Sequence, residues 1–225
     1  MEIDKLRDAS TFTVGTKTRN VGFKAKRLKI FKTILSAACI LFILLIILAG
    51  AVTNKRNSIW KAEITLWEDV VSKSPNKARG HNNIGMAYYD RNLTNKASEE
   101  FKKAIHLQPK YADAHYNIGV AYLNQFRIDE AIEKFKKTTA LQPDYADAYN
   151  NLGSIYYLRR KIDEAIAEYQ KAVRFDPFHI EAHYNLGIAY KSKGLTKEAI
   201  TEFEEALKIQ PDNEKARNIL SLLSE

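Results

Sequence analysis

Residues 112–145 read ADAHYNIGVAYLNQFRIDEAIEKFKKTTALQPDY, and residues 146–179 read ADAYNNLGSIYYLRRKIDEAIAEYQKAVRFDPFH. Both stretches are 34 residues long, open on Ala-Asp-Ala, share Ile-Asp-Glu-Ala in the middle and carry a proline near the end. The same frame extends outward in both directions. The chain has five prolines, Pro75, Pro109, Pro143, Pro177 and Pro211, each 34 residues after the one before. Proline fixes φ and lacks an N–H, so each marks a place where a helix must stop. One unit is therefore repeated four times, over 78–111, 112–145, 146–179 and 180–213.

Within the unit, position 7 is Ile84, Ile118, Leu152 or Leu186, and position 8 is always glycine (Gly85, Gly119, Gly153, Gly187). Position 11 is always tyrosine, and position 20 is always alanine: Ala97, Ala131, Ala165, Ala199. Position 24 is Phe101, Phe135, Tyr169 or Phe203, and position 27 is Ala104, Thr138, Ala172 or Ala206. Positions 4, 7, 8 and 11 share one face of a first helix, and positions 20, 24 and 27 share one face of a second. The small residues let backbones approach, and the aromatic rings fill the space opposite. Asp129-Glu130 and Asp163-Glu164 fall at the start of the second helix, where an N-cap and the helix dipole favour acids. The turn before it holds Asn92 and Gly194 in units 1 and 4, both tolerant of positive φ, but Phe126 and Arg160 in units 2 and 3. Those two turns are expected to be strained or differently shaped.

The pattern resembles the tetratricopeptide repeat (TPR) family. The resemblance implies an all-α, right-handed α-solenoid of helix-turn-helix repeats. The family's usual Trp at position 4 is replaced here by His81, His115, Tyr149 and His183, and Thr138 replaces a small Ala. Residues 55–77 contain a degenerate leading half-repeat, with Trp67 at the aromatic position, Val70 at the small one and Glu63 where Ala is usual. Residues 214–225 read as a capping helix, with Ile219, Leu220, Leu222 and Leu223 to cover the last unit.

The N-terminal quarter has a different character. Thr33 to Asn54 contains no charge, and Ile34 to Val52 is long enough to cross a hydrocarbon core of ~30 Å. Residues 33–54 are therefore read as one transmembrane helix preceding the solenoid, with residues 1–32 a basic, disordered tail. Seven Lys or Arg from Lys17 to Lys32 precede the span, against Lys55, Arg56 and Lys61 after it. This asymmetry places the N-terminus in the cytoplasm and the repeats in a periplasm, a lumen or outside the cell. Ala49-Gly50-Ala51 resembles a cleavage site, but the leading segment and apolar run are long for a signal peptide, so an uncleaved anchor is favoured. The chain's one cysteine, Cys39, lies inside this span. The net charge of +8 divides into +6 for residues 1–54, +2 for 55–77 and zero for 78–225. The basic character is thus juxtamembrane, which suits anionic lipid headgroups rather than nucleic acid.

Nothing in the pattern points to chemistry. There is no glycine-rich phosphate loop, nucleophile elbow or cysteine pair, so no catalytic residue and no cofactor is expected. His81, His115 and His183 recur at one unit position, but adjacent stacked helices lie roughly 10 Å apart, too far for ligands that must converge at ~2 Å from one metal. They are read as packing residues.

In the TPR family the first helix of each unit lines a concave groove through positions 2, 5, 6, 9, 12 and 13. Position 6 here is asparagine throughout: Asn83, Asn117, Asn151 and Asn185. Position 5 alternates Asn82, Tyr116, Asn150 and Tyr184, and position 12 supplies Tyr89 and Tyr157. An amide both donates and accepts, so a row of them can hold an extended peptide backbone, and tyrosines add rigid contact area. A similar ladder occurs in the repeat domain of O-GlcNAc transferases. The carboxylate clamp of co-chaperones, by contrast, finds only Asn117 in place. The expected function is a membrane-anchored scaffold whose groove binds a protein or peptide partner. One alternative is an accessory portion of a membrane glycosyltransferase system. The membrane-proximal Arg56-Asn57, Trp60 and Leu66-Trp67 resemble the C-terminal region of multi-span glycosyltransferases carrying such repeats. Another is an assembly subunit of a cell-envelope or secretion complex. The oligomeric state is left open.

Overall fold

The chain divides into two units, Met1–Ile59 and Trp60–Glu225. The computed structural model describes residues 63–223, all within the second unit. The expected tail 1–32 and span 33–54 lie outside the described residues; among the described residues no helix is long and apolar enough to cross a membrane.

The described residues are helical, without strands. Helix α1 covers 63–73. Four hairpins follow: α2 (Ala78–Tyr89) with α3 (Thr94–Leu107), and α4 (Ala112–Asn124) with α5 (Ile128–Leu141). Then come α6 (Ala146–Leu158) with α7 (Ile162–Phe175), and α8 (Ile180–Ser192) with α9 (Thr196–Ile209). Helix α10 (Glu214–Leu223) closes the described part. Each helix packs on the next, and the first helices of neighbouring hairpins also touch, α2 on α4 and α6 on α8. This is a helical-repeat solenoid.

The hairpins are held by a glycine-to-ring contact made four times. A Cβ built on Gly85 would lie 2.6 Å from the Phe101 ring; on Gly119, 2.8 Å from Phe135; on Gly153, 2.6 Å from Tyr169; on Gly187, 2.8 Å from Phe203. These rings are among the most buried side chains of the protein. Thr138, at the position otherwise held by alanine, is fully buried, and its hydroxyl donates to the Lys134 carbonyl at 3.0 Å. A polar atom enters this core only because it bonds back within its own helix.

The turns inside the hairpins all close alike. The N–H of Arg127 bonds to the Tyr122 carbonyl and that of Phe126 to the Leu123 carbonyl, both at 2.9 Å. The corresponding pairs recur at Leu93 and Asn92, Lys161 and Arg160, and Leu195 and Gly194. This Schellman closure requires a left-handed residue, and φ is 59° at Asn92, 59° at Phe126, 61° at Arg160 and 79° at Gly194. Units 2 and 3 therefore keep the shape of the other turns and accept the strain of a side chain at positive φ. The acids at the start of α5 and α7 lie in the first turn, where the dipole favours them. They do not cap: the N-cap residues are Arg127 and Lys161, and neither side chain accepts a capping bond.

At the ends, Val70 and Val71 of α1 lie 3.8 and 3.4 Å from the Cβ position of Gly80. Ile219, Leu220 and Leu223 of α10 pack on the cluster of Ala199, Phe203, Ala206 and Ala216. Leu222, expected in that cover, faces away and is 66% exposed.

Candidate functional site

The inner face is formed by α2, α4, α6 and α8, and its polar residues are connected across repeats. Asn117 Nδ2 donates to Asn82 Oδ1 at 2.9 Å. Asn151 Nδ2 donates to the Tyr116 hydroxyl at 3.2 Å, and Asn185 Nδ2 to Asn150 Oδ1 at 3.0 Å. One level along the helices, Asn124 Nδ2 donates to the Tyr89 hydroxyl at 2.7 Å, and the Tyr157 and Ser192 hydroxyls lie 2.7 Å apart. Every one of these bonds joins residues 35 apart, one more than the repeat length. Position 5 of one repeat accepts from position 6 of the next, and position 12 meets position 13 of the next.

These clasps alter the roles of the expected site residues. Asn82 and Asn150 are only 3% and 4% exposed, so they act mainly as acceptors between repeats. Asn117, Asn151 and Asn185 are half-buried, and each has committed one amide hydrogen. Each keeps one N–H and a carbonyl oxygen. Asn83, with no preceding repeat to clasp within the described residues, is also half-buried. Tyr116 stacks on Tyr145 with ring centroids 4.9 Å apart, and burial, with Asp147 nearby, pushes its hydroxyl up to about 12. Tyr184 sits edge-on to Phe203 at 5.7 Å. The Tyr116 phenol is thus a neutral contact surface throughout the ordinary pH range.

Two depressions open on this face. One, of about 490 Å³, lies between repeats 1 and 2 and is polar, lined by Arg79, Asp113, Asn83, Asn117, Tyr111 and Tyr145 among others. The other, of about 330 Å³, lies between repeats 3 and 4 and is mostly apolar, with Tyr157, Leu158, Tyr169, Tyr184 and Ile188 around Asn185. The 35-residue offset and the division of the groove into polar and apolar halves were both missed in the sequence. The first was readable at position 5, where Asn82, Tyr116 and Asn150 are each followed, one repeat and one residue later, by Asn.

The position-4 histidines sit between a turn and a second helix. His183 Nε2 meets the Pro177 carbonyl at 3.1 Å, and its Nδ1 meets Glu202 Oε2 at 2.7 Å. Both ring nitrogens thus face acceptors. The Glu202 carboxylate, more than the turn carbonyl, holds the imidazole pKa above its usual range against the effect of burial. His81 makes the same two contacts, to Pro75 at 2.8 Å and Glu100 at 2.6 Å. His115 contacts the Pro109 carbonyl at 3.0 Å, but Lys134 stands where the other repeats have glutamate, so its Nδ1 is buried without a partner. Burial lowers its pKa. His179 donates from Nε2 to Asp147 at 3.1 Å and accepts the Ala182 N–H on Nδ1, capping α8. Among the described residues no group of three or more His, Cys, Asp or Glu could hold a metal ion.

A stack of helix hairpins with a connected inner face is a repeat scaffold, a class whose curvature creates extended binding surfaces. Family profiles described as TPR repeat and tetratricopeptide repeat match residues 85–125, 127–159, 153–194 and 180–213, and the chain belongs to that family. Among solved structures it is similar to MamA, at 32% identity over 72% of this chain and 94% of that one, with a TM-score of 0.61. It shares the fold of YrrB, described as a TPR protein with an unusual peptide-binding site (20% identity, 73% and 85% covered, TM-score 0.58). It also shares that of PilF from Pseudomonas aeruginosa (23%, 65% and 67%, 0.60). No curated protein matches the chain.

Proposed function

We propose that this protein is a membrane-anchored interaction scaffold whose inner face, along α2, α4, α6 and α8, holds an extended peptide segment of a partner protein. The observation that carries this is the row of half-buried amides at Asn83, Asn117, Asn151 and Asn185. Three of them are oriented by a bond to the neighbouring repeat before any ligand arrives. Preorganised donors and acceptors cost little to order on binding. Each clasped amide keeps one donor and one acceptor, the complement of a backbone peptide group. The YrrB structure, with its peptide-binding site, supplies a parallel at the level of fold.

Anchoring rests on the uncharged stretch 33–54, and the excess of Lys and Arg before it supports a cytoplasmic N-terminus with the repeats on the other side. The test is cross-linking in native membranes followed by recovery of bound partners. Asn83→Ala leaves every clasp intact and removes one ladder amide, and Met86→Asp puts a charge on the same face. Both should reduce partner recovery while thermal unfolding is unchanged; undiminished recovery with both rejects the groove. Proteolysis of the repeats in cells whose anchoring membrane is still closed supports this topology, whereas cleavage only after that membrane is breached overturns it.

A further inference from the structure

We infer that the depression between repeats 3 and 4 is an anchor pocket for one aliphatic or aromatic side chain of an extended peptide whose neighbouring residues are basic. This rests on the groove reading above and makes it more specific. At about 330 Å³ the pocket lies at the small end of ligand sites, which run to about 300–1,000 Å³. It is therefore suited to a side chain rather than a whole small molecule. Its walls are fixed independently of any ligand. The Tyr169 hydroxyl donates to Ser154 Oγ at 3.1 Å, Tyr157 is bonded to Ser192 at 2.7 Å, and the Tyr184 ring rests edge-on against Phe203. Leu158, on the rim, is 79% exposed, so apolar surface stands in water until something covers it. Asn185, in the wall, has given one N–H to Asn150 and keeps the other and its carbonyl for the backbone of the inserted residue.

Charge decides what flanks the anchor. Position 2 of α4, α6 and α8 is Asp113, Asp147 and Glu181, one acid in each of repeats 2 to 4. Their fields reach the groove: Asp147 and Glu181 both act on the Tyr116 hydroxyl, and Glu181 acts on that of Tyr169 in the pocket wall. His179 donates from Nε2 to Asp147, which holds its imidazole above the usual range and in part offsets that one acid; Asp113 and Glu181 remain. The cations on this face, Arg79 and Lys191, belong to the first and last repeats. The depression between repeats 1 and 2 sets Arg79, Asp113 and amides beside Met86, Tyr111 and Tyr145, so an apolar side chain gains less there. The apolar anchor thus belongs at repeats 3 and 4, with Lys or Arg of the ligand facing the acids.

The full-length chain, immobilised, can be panned against a random dodecapeptide phage library, and the strongest peptide then synthesised with a fluorescent label for anisotropy titration. Retained peptides should share one aliphatic or aromatic residue with Lys or Arg close by. Replacing that residue by Ser should weaken binding by about 10- to 100-fold. Leu158→Asp and Ile188→Lys in the protein should do the same. Leu158 lies outside the core, so its change leaves the fold intact, and a thermal melt checks Ile188→Lys. Glu181→Lys should weaken the basic peptide several-fold and reduce its salt dependence. Peptides that bind but lack an apolar residue, or whose affinity stays within twofold on Leu158→Asp, overturn the anchor pocket and leave the groove reading standing. Retention of no peptide at all removes both.

Discussion

At the residue scale the fold turns on close approach. The Phe135 ring is fully buried, so a methyl at Gly119 cannot push it aside. Alanine is a better helix former than glycine by about 1 kcal/mol, but overpacking costs about 1–3 kcal/mol. Gly119→Ala should therefore destabilise on balance, by about 1–2 kcal/mol in urea unfolding; a gain in stability would show that the ring can move. Phe126 presents the reverse case. It is 88% exposed and has φ 59°, so its ring adds no packing and its Cβ adds strain. Phe126→Gly should stabilise by about 0.5–1 kcal/mol, since relief of the left-handed conformation exceeds the extra freedom of an unfolded glycine. The histidines respond to pH in opposite directions. With its pKa raised, His183 contributes its full stabilisation below the unfolded imidazole value of about 6.5 and loses it as pH rises through the folded value. His115, lowered, is held neutral, so the unfolded chain takes up a proton first and acid destabilises repeat 2. Lys134→Glu supplies the partner that Nδ1 lacks. It should turn the shift of His115 from downward to upward in a ring-proton NMR titration and remove its share of the acid loss.

At the element scale the hairpins were legible in the sequence and the contacts between them were not. Proline, glycine and alanine announce hairpins because each answers a steric demand within a single unit. The clasps join different units, and their signal is an offset of 35 hidden behind a period of 34. Phe126 and Arg160 likewise concealed Schellman turns, because position in the repeat, and not residue type, sets their conformation. The groove residues were named from the family pattern, but that pattern says nothing of which amides are already bonded, so buried Asn82 and half-buried Asn83 looked alike. A double-mutant cycle on Asn151 and Tyr116, using Asn151→Ala and Tyr116→Phe, should return a coupling of about 0.5–1.5 kcal/mol. Zero coupling would mean that the clasp is replaced by water at no cost.

At the scale of the whole molecule each repeat touches only its neighbours, so stability accumulates along the stack and the ends matter most. Helix α10 covers Ala199, Phe203 and Ala206, which are fully buried. Ending the chain at Asn213 should expose that surface, lower the melting temperature and promote self-association, measurable by light scattering; a monodisperse product with unchanged melting would show that α10 is dispensable. The zero net charge of 78–225, against the strongly basic residues before it, agrees with a solenoid that relies on packing rather than on charge.

The three clasps between positions 5 and 6 all point one way. The donor amide always belongs to the later repeat and the acceptor to the earlier one, and each repeat carries both. Any of the four units can therefore follow any other and still find its match, until Ile219, at the donor position after repeat 4, ends the series. Such an array is modular in the way of a chain of identical couplings. Inserting or deleting a whole unit changes how many residues of a ligand the inner face can span, while the bond between neighbours stays the same. Reach is then the property that can change by duplication alone, and what is recognised within that reach must change residue by residue.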